Sequence, residues 1–242
     1  MKRVYTILFL LTSCGFIFAQ SINQFDASGK RHGIWKKDFE DTNITRYEGE
    51  FSHGKEIGLF KFFKYYKKKG VLSATKLFNK NNNIAEVKFL ASNGRVISEG
   101  KMDGRIYIDT WKYYQKNSEK LLTLEHYNNK GELIGERLVY YPNGQMAEKQ
   151  NYINGKLEGE SFWLSEKNVV LKSFFYKNGD LHGAAKFYNP KGELLSEGQY
   201  KRGKKNGVWK FYENGKLVKE KNFTYKPKYI KKRLSEKAVF FL

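Results

Sequence analysis

A single cysteine and three prolines are all that 242 residues supply of either type. That scarcity excludes a disulfide scaffold, a cysteine-ligated zinc site and a proline-rich linker, and 22 glycines are too few for a collagen-like chain. Arginine is sparse as well: of 45 basic residues only eight are Arg, whereas bidentate reading of bases and phosphates favours Arg, so specific nucleic-acid recognition is not expected. Against 25 acidic residues the balance is a net charge of +20. With 40% apolar and 17% aromatic residues the chain is too hydrophobic for a disordered basic tail, so the excess charge must sit on a fold.

The only long uncharged run lies at the N-terminus, where Lys2 and Arg3 precede Val4 to Phe18 and the small residue Ala19. This is the order of a secretory signal covering residues 1–19, cleaved between Ala19 and Gln20. Its core is short for a bilayer span of about 20 residues, so the mature chain is expected to hold no integral transmembrane segment. Leu11, Thr12, Ser13 and Cys14 also resemble a lipobox, with Cys14 as a lipidation site. The apolar run continues past Cys14, which places that reading second. Either route predicts an extracytoplasmic protein: periplasmic, secreted or associated with the outer membrane of a bacterium.

Self-similarity organises the rest. Glycines recur at G-x-x-x-G spacing at Gly29 and Gly33, Gly54 and Gly58, Gly131 and Gly135, Gly155 and Gly159, Gly179 and Gly183, and Gly203 and Gly207. Degenerate copies at Ala85 and Asp109 fill the gap, giving eight units of about 24 residues. Each unit is an aromatic-rich run, a turn, a second run and the glycine loop. Asn-Gly pairs start at positions 93, 143, 154 and 178, and the flanking runs are rich in Val, Ile, Leu, Phe, Tyr and Trp. Each unit therefore reads as a β-hairpin, and the series as an antiparallel meander of about sixteen strands.

The pattern Gly-x-Trp-Lys-Phe-Tyr, turn, Gly-x-Leu-x-x-Glu, then the glycine loop, seen from Gly207 onward and in the copies at Gly135, Gly159 and Gly183, resembles the MORN-variant repeat of bacterial proteins, some of which carry antitoxin-like descriptions. The resemblance covers roughly residues 29 to 225. It implies an all-β, elongated, twisted antiparallel meander of about eight stacked hairpins, without an active site, serving binding, scaffolding or membrane association. Residues 20–28 form a lead-in, 29–225 the array and 226–242 a basic tail.

Side chains alternate faces along a strand. Counting from each anchor glycine or its replacement, the second and fourth residues share a face expected to be buried: Trp35; Phe60 and Phe62; Val87 and Phe89; Trp111 and Tyr113; Val139; Trp163; Phe187; Trp209 and Phe211. The third residue is Lys in six copies, Lys36, Lys61, Lys88, Lys112, Lys186 and Lys210, interrupted by Leu138 and Phe162. The fifth is aromatic in five, Phe63, Tyr114, Tyr140, Tyr188 and Tyr212. These Lys and Tyr residues are the candidate partner-binding row. Such a row is an ordinary solvated face, partly neutralised by Glu99, Glu125, Glu148, Glu197 and Glu220, or else the contact surface for an anionic envelope partner such as lipid headgroups or acidic polysaccharide, or for a protein.

No catalytic constellation, cofactor site or metal site is expected. His32 and His182 occupy one repeat slot and His53 a neighbouring loop, Ser165 and Ser196 fall in repeat strands or turns, and the glycine motifs lack the Lys-Ser/Thr of a phosphate loop. From Lys226 on the repeat fails. Ile230, Leu234, Ala238 and Phe241 lie at helical spacing among six basic residues, which predicts a short helix capping the last strand or, as a rival, touching anionic lipid. The whole reads as an exported, non-enzymatic binding or scaffolding module. Its alternatives are an antitoxin-like protein that neutralises a partner by direct contact, and a glycan- or wall-binding aromatic repeat module.

Overall fold

The computed structural model describes residues 21–224. The residues expected to form a signal and its cleavage site, Cys14, and the tail segment expected to cap the array lie outside the described residues. The first strands are β1 Gln24–Phe25, β2 Arg31–Asp38, β3 Thr45–Ser52, β4 Lys55–Tyr66, β5 Lys69–Phe78 and β6 Ile84–Leu90. The middle of the chain gives β7 Val96–Asp103, β8 Ile106–Tyr114, β9 Leu121–Tyr127, β10 Gly135–Tyr140, β11 Met146–Ile153 and β12 Lys156–Leu157. The last are β13 Gly159–Leu164, β14 Val170–Lys177, β15 Asp180–Tyr188, β16 Leu194–Lys201, β17 Lys204–Glu213 and β18 Lys216–Asn222. All eighteen belong to one sheet, and every pairing is antiparallel between neighbours in the chain, β11 receiving both β12 and β13.

Eight hairpins account for sixteen of these strands. The other two are the short β1 on the N-terminal edge and the fragment β12. Among the described residues there is no helix.

Adjacent hairpins are joined most simply by two residues in left-handed conformation, as at Asn178 (φ 52°) and Gly179 (φ 91°). Both central φ values of a type I′ turn are positive, and its twist matches that of the flanking strands. A third left-handed residue, the anchor, follows within the next first strand: Gly207 has φ 70°. Where Asp109 replaces it, φ is still 62°, and from Glu99 to Lys101 of β7 the partner on β8 moves from Lys112 to Ile108, a slip of two residues. Where Ala85 replaces it no such residue is present, and β5 runs against β6 without a register shift. The anchor is therefore the seat of a bulge that a glycine makes cheap.

The hairpins do not fold onto a second layer, so burial comes from side chains packed side by side on one face. Trp111, Trp209 and Ser161 are fully buried there, with Phe60, Val87 and Ala185 nearly so. The second-position row is thus the core, and the fourth-position residues, such as Phe62, Phe89, Tyr113, Trp163, Phe187 and Phe211, are half-buried beside it. Edge-to-face contacts join successive units, for example Phe51 to Phe60 at 5.2 Å and Tyr200 to Trp209 at 5.2 Å.

Candidate functional site

Strand register decides what lies beside each lysine. One unbroken row crosses the sheet: Lys36, Glu48, Lys61, Thr75, Lys88, Glu99, Lys112, Leu124, Leu138, Lys149, Phe162, Ser173, Lys186, Glu197, Lys210 and Glu220, each paired with the next. All six candidate lysines are exposed. The structure thus brings them into one line, but with a carboxylate between the members of three pairs. Lys61 Nζ lies 3.0 Å from Glu48 and Lys88 Nζ 3.4 Å from Glu99. The row holds three Lys-Glu-Lys triplets, the last running on into Glu220, with Lys149 standing between the second and third, so seven lysines face four acids for a net charge of +3 rather than a bare cation ladder.

The candidate tyrosines are half-buried rather than exposed. Tyr114 and Tyr212 donate their hydroxyls to Glu99 and Glu197, the latter at 2.8 Å. Burial and then the bond to Glu99 push the Tyr114 phenol up to about 12, while that hydroxyl and then Lys88 hold the Glu99 carboxyl below its ordinary range. The bond to Glu197 likewise raises the Tyr212 phenol. These rings therefore fix the acid of the triplet in place. Tyr140 and Tyr188 occupy the same slot with no hydroxyl bond to a row carboxylate.

Two shallow hollows on this face share one plan. One, of about 270 Å³, is lined by Lys88, Glu99, Gly100 and Lys112, and the other, of about 190 Å³, by Lys186, Glu197, Gly198 and Lys210.

Two of the expected neutralising acids are elsewhere. Glu125 and Glu148 face the core side, where Arg137 stands in the slot that holds Trp111 or Trp209 in other units. Arg137 Nε is 2.9 Å from Glu125 and Nη1 3.6 Å from Glu148. Tyr127 donates to Glu125 at 2.6 Å, and Tyr152 to Gln150 at 2.8 Å. Burial, then Glu125, pushes the Tyr113 phenol up to about 12 and the Tyr127 phenol further. The reason is parity: the second strands of these two units reach the row with Leu124 and Lys149, each one residue away from the acid. Glu48 and Lys149 were not among the expected row members, although each lies opposite a position of known phase.

His32 and His53 come together, their rings 4.8 Å apart, with His53 Nδ1 2.7 Å from Asp26. Among the described residues no group of three His, Cys, Asp or Glu side chains is arranged to hold a metal ion.

The MORN repeat variant family model matches residues 133–154, 181–202 and 205–225. These fall on three of the hairpin units described above, and the chain is a MORN-variant repeat protein. Repeats of this family are typically binding or scaffolding modules, generally without enzymatic activity, and commonly engage proteins or membrane lipids. None of the curated proteins compared matches the chain. Among solved structures, a mutant of S. aureus TarM in complex with Fondaparinux, alpha-GlcNAc-glycerol and UDP is 13% identical over 40% of this chain and 19% of that one, with a TM-score of 0.27. The chain spans about a fifth of that protein's length.

Proposed function

We propose that this protein is an exported binding and scaffolding module that lies against an anionic surface of the cell envelope through its Lys-Tyr face. The observation that carries the reading is the row itself: six exposed lysines in one line, with the same Lys-Glu-Lys hollow built twice. Export rests on the N-terminal sequence alone.

The interleaved carboxylates set the strength. A lysine near an anionic membrane is worth about 1 kcal/mol, so the row, of net charge +3, supplies about 3 kcal/mol. Such an array holds weakly at each unit and firmly only over its full length, which suits a repeat protein bridging an extended surface.

Replacing Lys61, Lys112, Lys186 and Lys210 together by Gln removes one cation from the first two triplets and both from the third. Association with anionic vesicles or envelope extract should fall and its salt dependence flatten. Unchanged binding would discard the reading. Co-purification of one stoichiometric protein, indifferent to these substitutions, would favour an antitoxin-like role instead.

A further inference from the structure

Six Asn-Gly pairs occur in the chain, starting at 93, 143, 154, 178, 206 and 214. At such a pair the Gly amide nitrogen can attack the Asn side-chain carbon Cγ, because a residue without Cβ lets the two approach. The nitrogen must be free to do so, since an N–H already donated to a carbonyl first has to give up that bond.

Five of the six pairs are restrained. Gly94 N–H donates to the carbonyl of Ala91 at 2.9 Å and Gly144 N–H to that of Tyr141 at 2.8 Å. Their asparagines are tied as well, Asn93 Oδ1 accepting from Arg95 N–H at 3.2 Å and Asn143 Oδ1 from Gln145 N–H at 2.9 Å. Gly155 and Gly179 donate to the carbonyls of Leu133 and Leu157 in the loop one unit earlier, at 2.8 and 2.9 Å. Asn206 and Gly207 are half-buried inside β17, where Asn206 pairs with Gln199 of β16.

The sixth differs on each count. Among the described residues neither Gly215 N–H nor the Asn214 side chain has a hydrogen-bond partner. Both residues are exposed, and together they form the two-residue turn between β17 and β18, closed by Glu213 against Lys216. β18 is exposed along its whole length and pairs only with β17 among the described residues. A turn at the end of a repeat stack, supported from one side, opens at the lowest cost.

We propose that Asn214 is a site of spontaneous covalent modification, converting to aspartate and isoaspartate ahead of every other Asn-Gly pair. The Gly215 N–H proton passes to hydroxide, the nitrogen bonds to Asn214 Cγ, and the Cγ–Nδ2 bond breaks, the leaving group taking a proton from water to depart as ammonia. Water then adds to one of the two carbonyls of the resulting succinimide and opens the ring, so one water is consumed, one ammonia is released and one carboxyl is gained. Opening to isoaspartate routes the backbone through Cβ and Cγ, which lengthens the turn by one atom. The pairs nearest the turn, Glu213 with Lys216 and Tyr212 with Leu217, then lose register first. The inference does not depend on what the Lys row binds.

The test incubates the full chain at mildly alkaline pH, folded and in concentrated urea, and follows the mass gain at each of the six pairs by peptide mapping. In the folded chain Asn214 should convert at least about fivefold faster than any other pair. In urea the six should converge to within about twofold, since each is followed by Gly and none is held. Asn214→Gln should remove the fast phase from the intact mass. Another pair leading in the folded chain, equal rates at all six, or the same lead of Asn214 in urea would overturn the proposal.

Discussion

The indole of Trp209 lies directly over Gly198 of the preceding strand: a Cβ placed on that glycine would meet the ring at 2.3 Å. The indole N–H donates to the carbonyl of Gln199 at 3.1 Å, so the ring is held in place and cannot tilt away freely. Trp111 repeats the arrangement over Gly100, with the Cβ at 2.5 Å and a bond to Lys101 at 2.9 Å. Ala in a strand is otherwise favoured over Gly by about 0.5–1 kcal/mol. Here the clash with a fully buried ring outweighs that gain, and Gly198→Ala is expected to destabilise by about 1–3 kcal/mol, lowering Tm by several degrees. A calorimetric Tm equal to or above that of the parent would refute it.

Arg137 is the only basic residue in its row slot on the core side, held between Glu125 and Glu148 with their side chains mostly covered. Arg137→Leu leaves two carboxylates facing each other without their cation and should cost about 2–3 kcal/mol, less than for a fully buried pair because some solvent reaches all three groups. Changing Glu125, Arg137 and Glu148 together to Leu should restore most of that loss. Denaturant unfolding of the two variants checks the contrast.

Ser161 is fully buried, and its hydroxyl has no hydrogen-bond partner. An unpaired buried hydroxyl costs about 1–3 kcal/mol of desolvation, so Ser161→Ala should be neutral or raise stability by about 1 kcal/mol. A clear loss in the unfolding midpoint would show that the hydroxyl is engaged after all.

Asp26 accepts backbone N–H bonds from Ser28 and Lys30, both at 2.9 Å, and meets His53 at 2.7 Å. The bond from Lys30 first, then His53, holds its carboxyl below the ordinary range. A carboxyl depressed in the folded state contributes stability that is fully present above its unfolded pKa, about 3.9, and is lost as pH falls through the lower folded value. The N-terminal loop and β1 should therefore loosen below about pH 4, and Asp26→Asn should remove that step. Amide exchange at Lys30 and Ser28 between pH 5 and pH 2, on the order of this window, reads it out.

Much of this was legible because one unit is copied many times. The spacing of Gly183 and Gly207 gives the period, and Trp209, Phe211 and Lys210 give the faces. What escaped were features that a single residue of register controls. The bulge at Leu195, between the partners of Tyr188 and Phe187, leaves no mark in composition, and Glu148 and Lys149 exchange faces through one step of parity. Gly198 was legible as a glycine but not as the floor under Trp209, since that contact joins two units. The pairing of His53 with Asp26 depends on loops stacking across the edge, which periodicity alone does not place.

The central claim is that the lysines are rungs of a single ladder, and distances between spin labels test it most directly. Lys61 and Lys112 are four strands apart through Thr75, Lys88 and Glu99, whereas Lys88 and Lys186 are eight apart. Labels on the first pair should lie about 19 Å apart and on the second about 38 Å, growing in step with strand number. Equal or inverted distances would contradict the ladder and the account built on it.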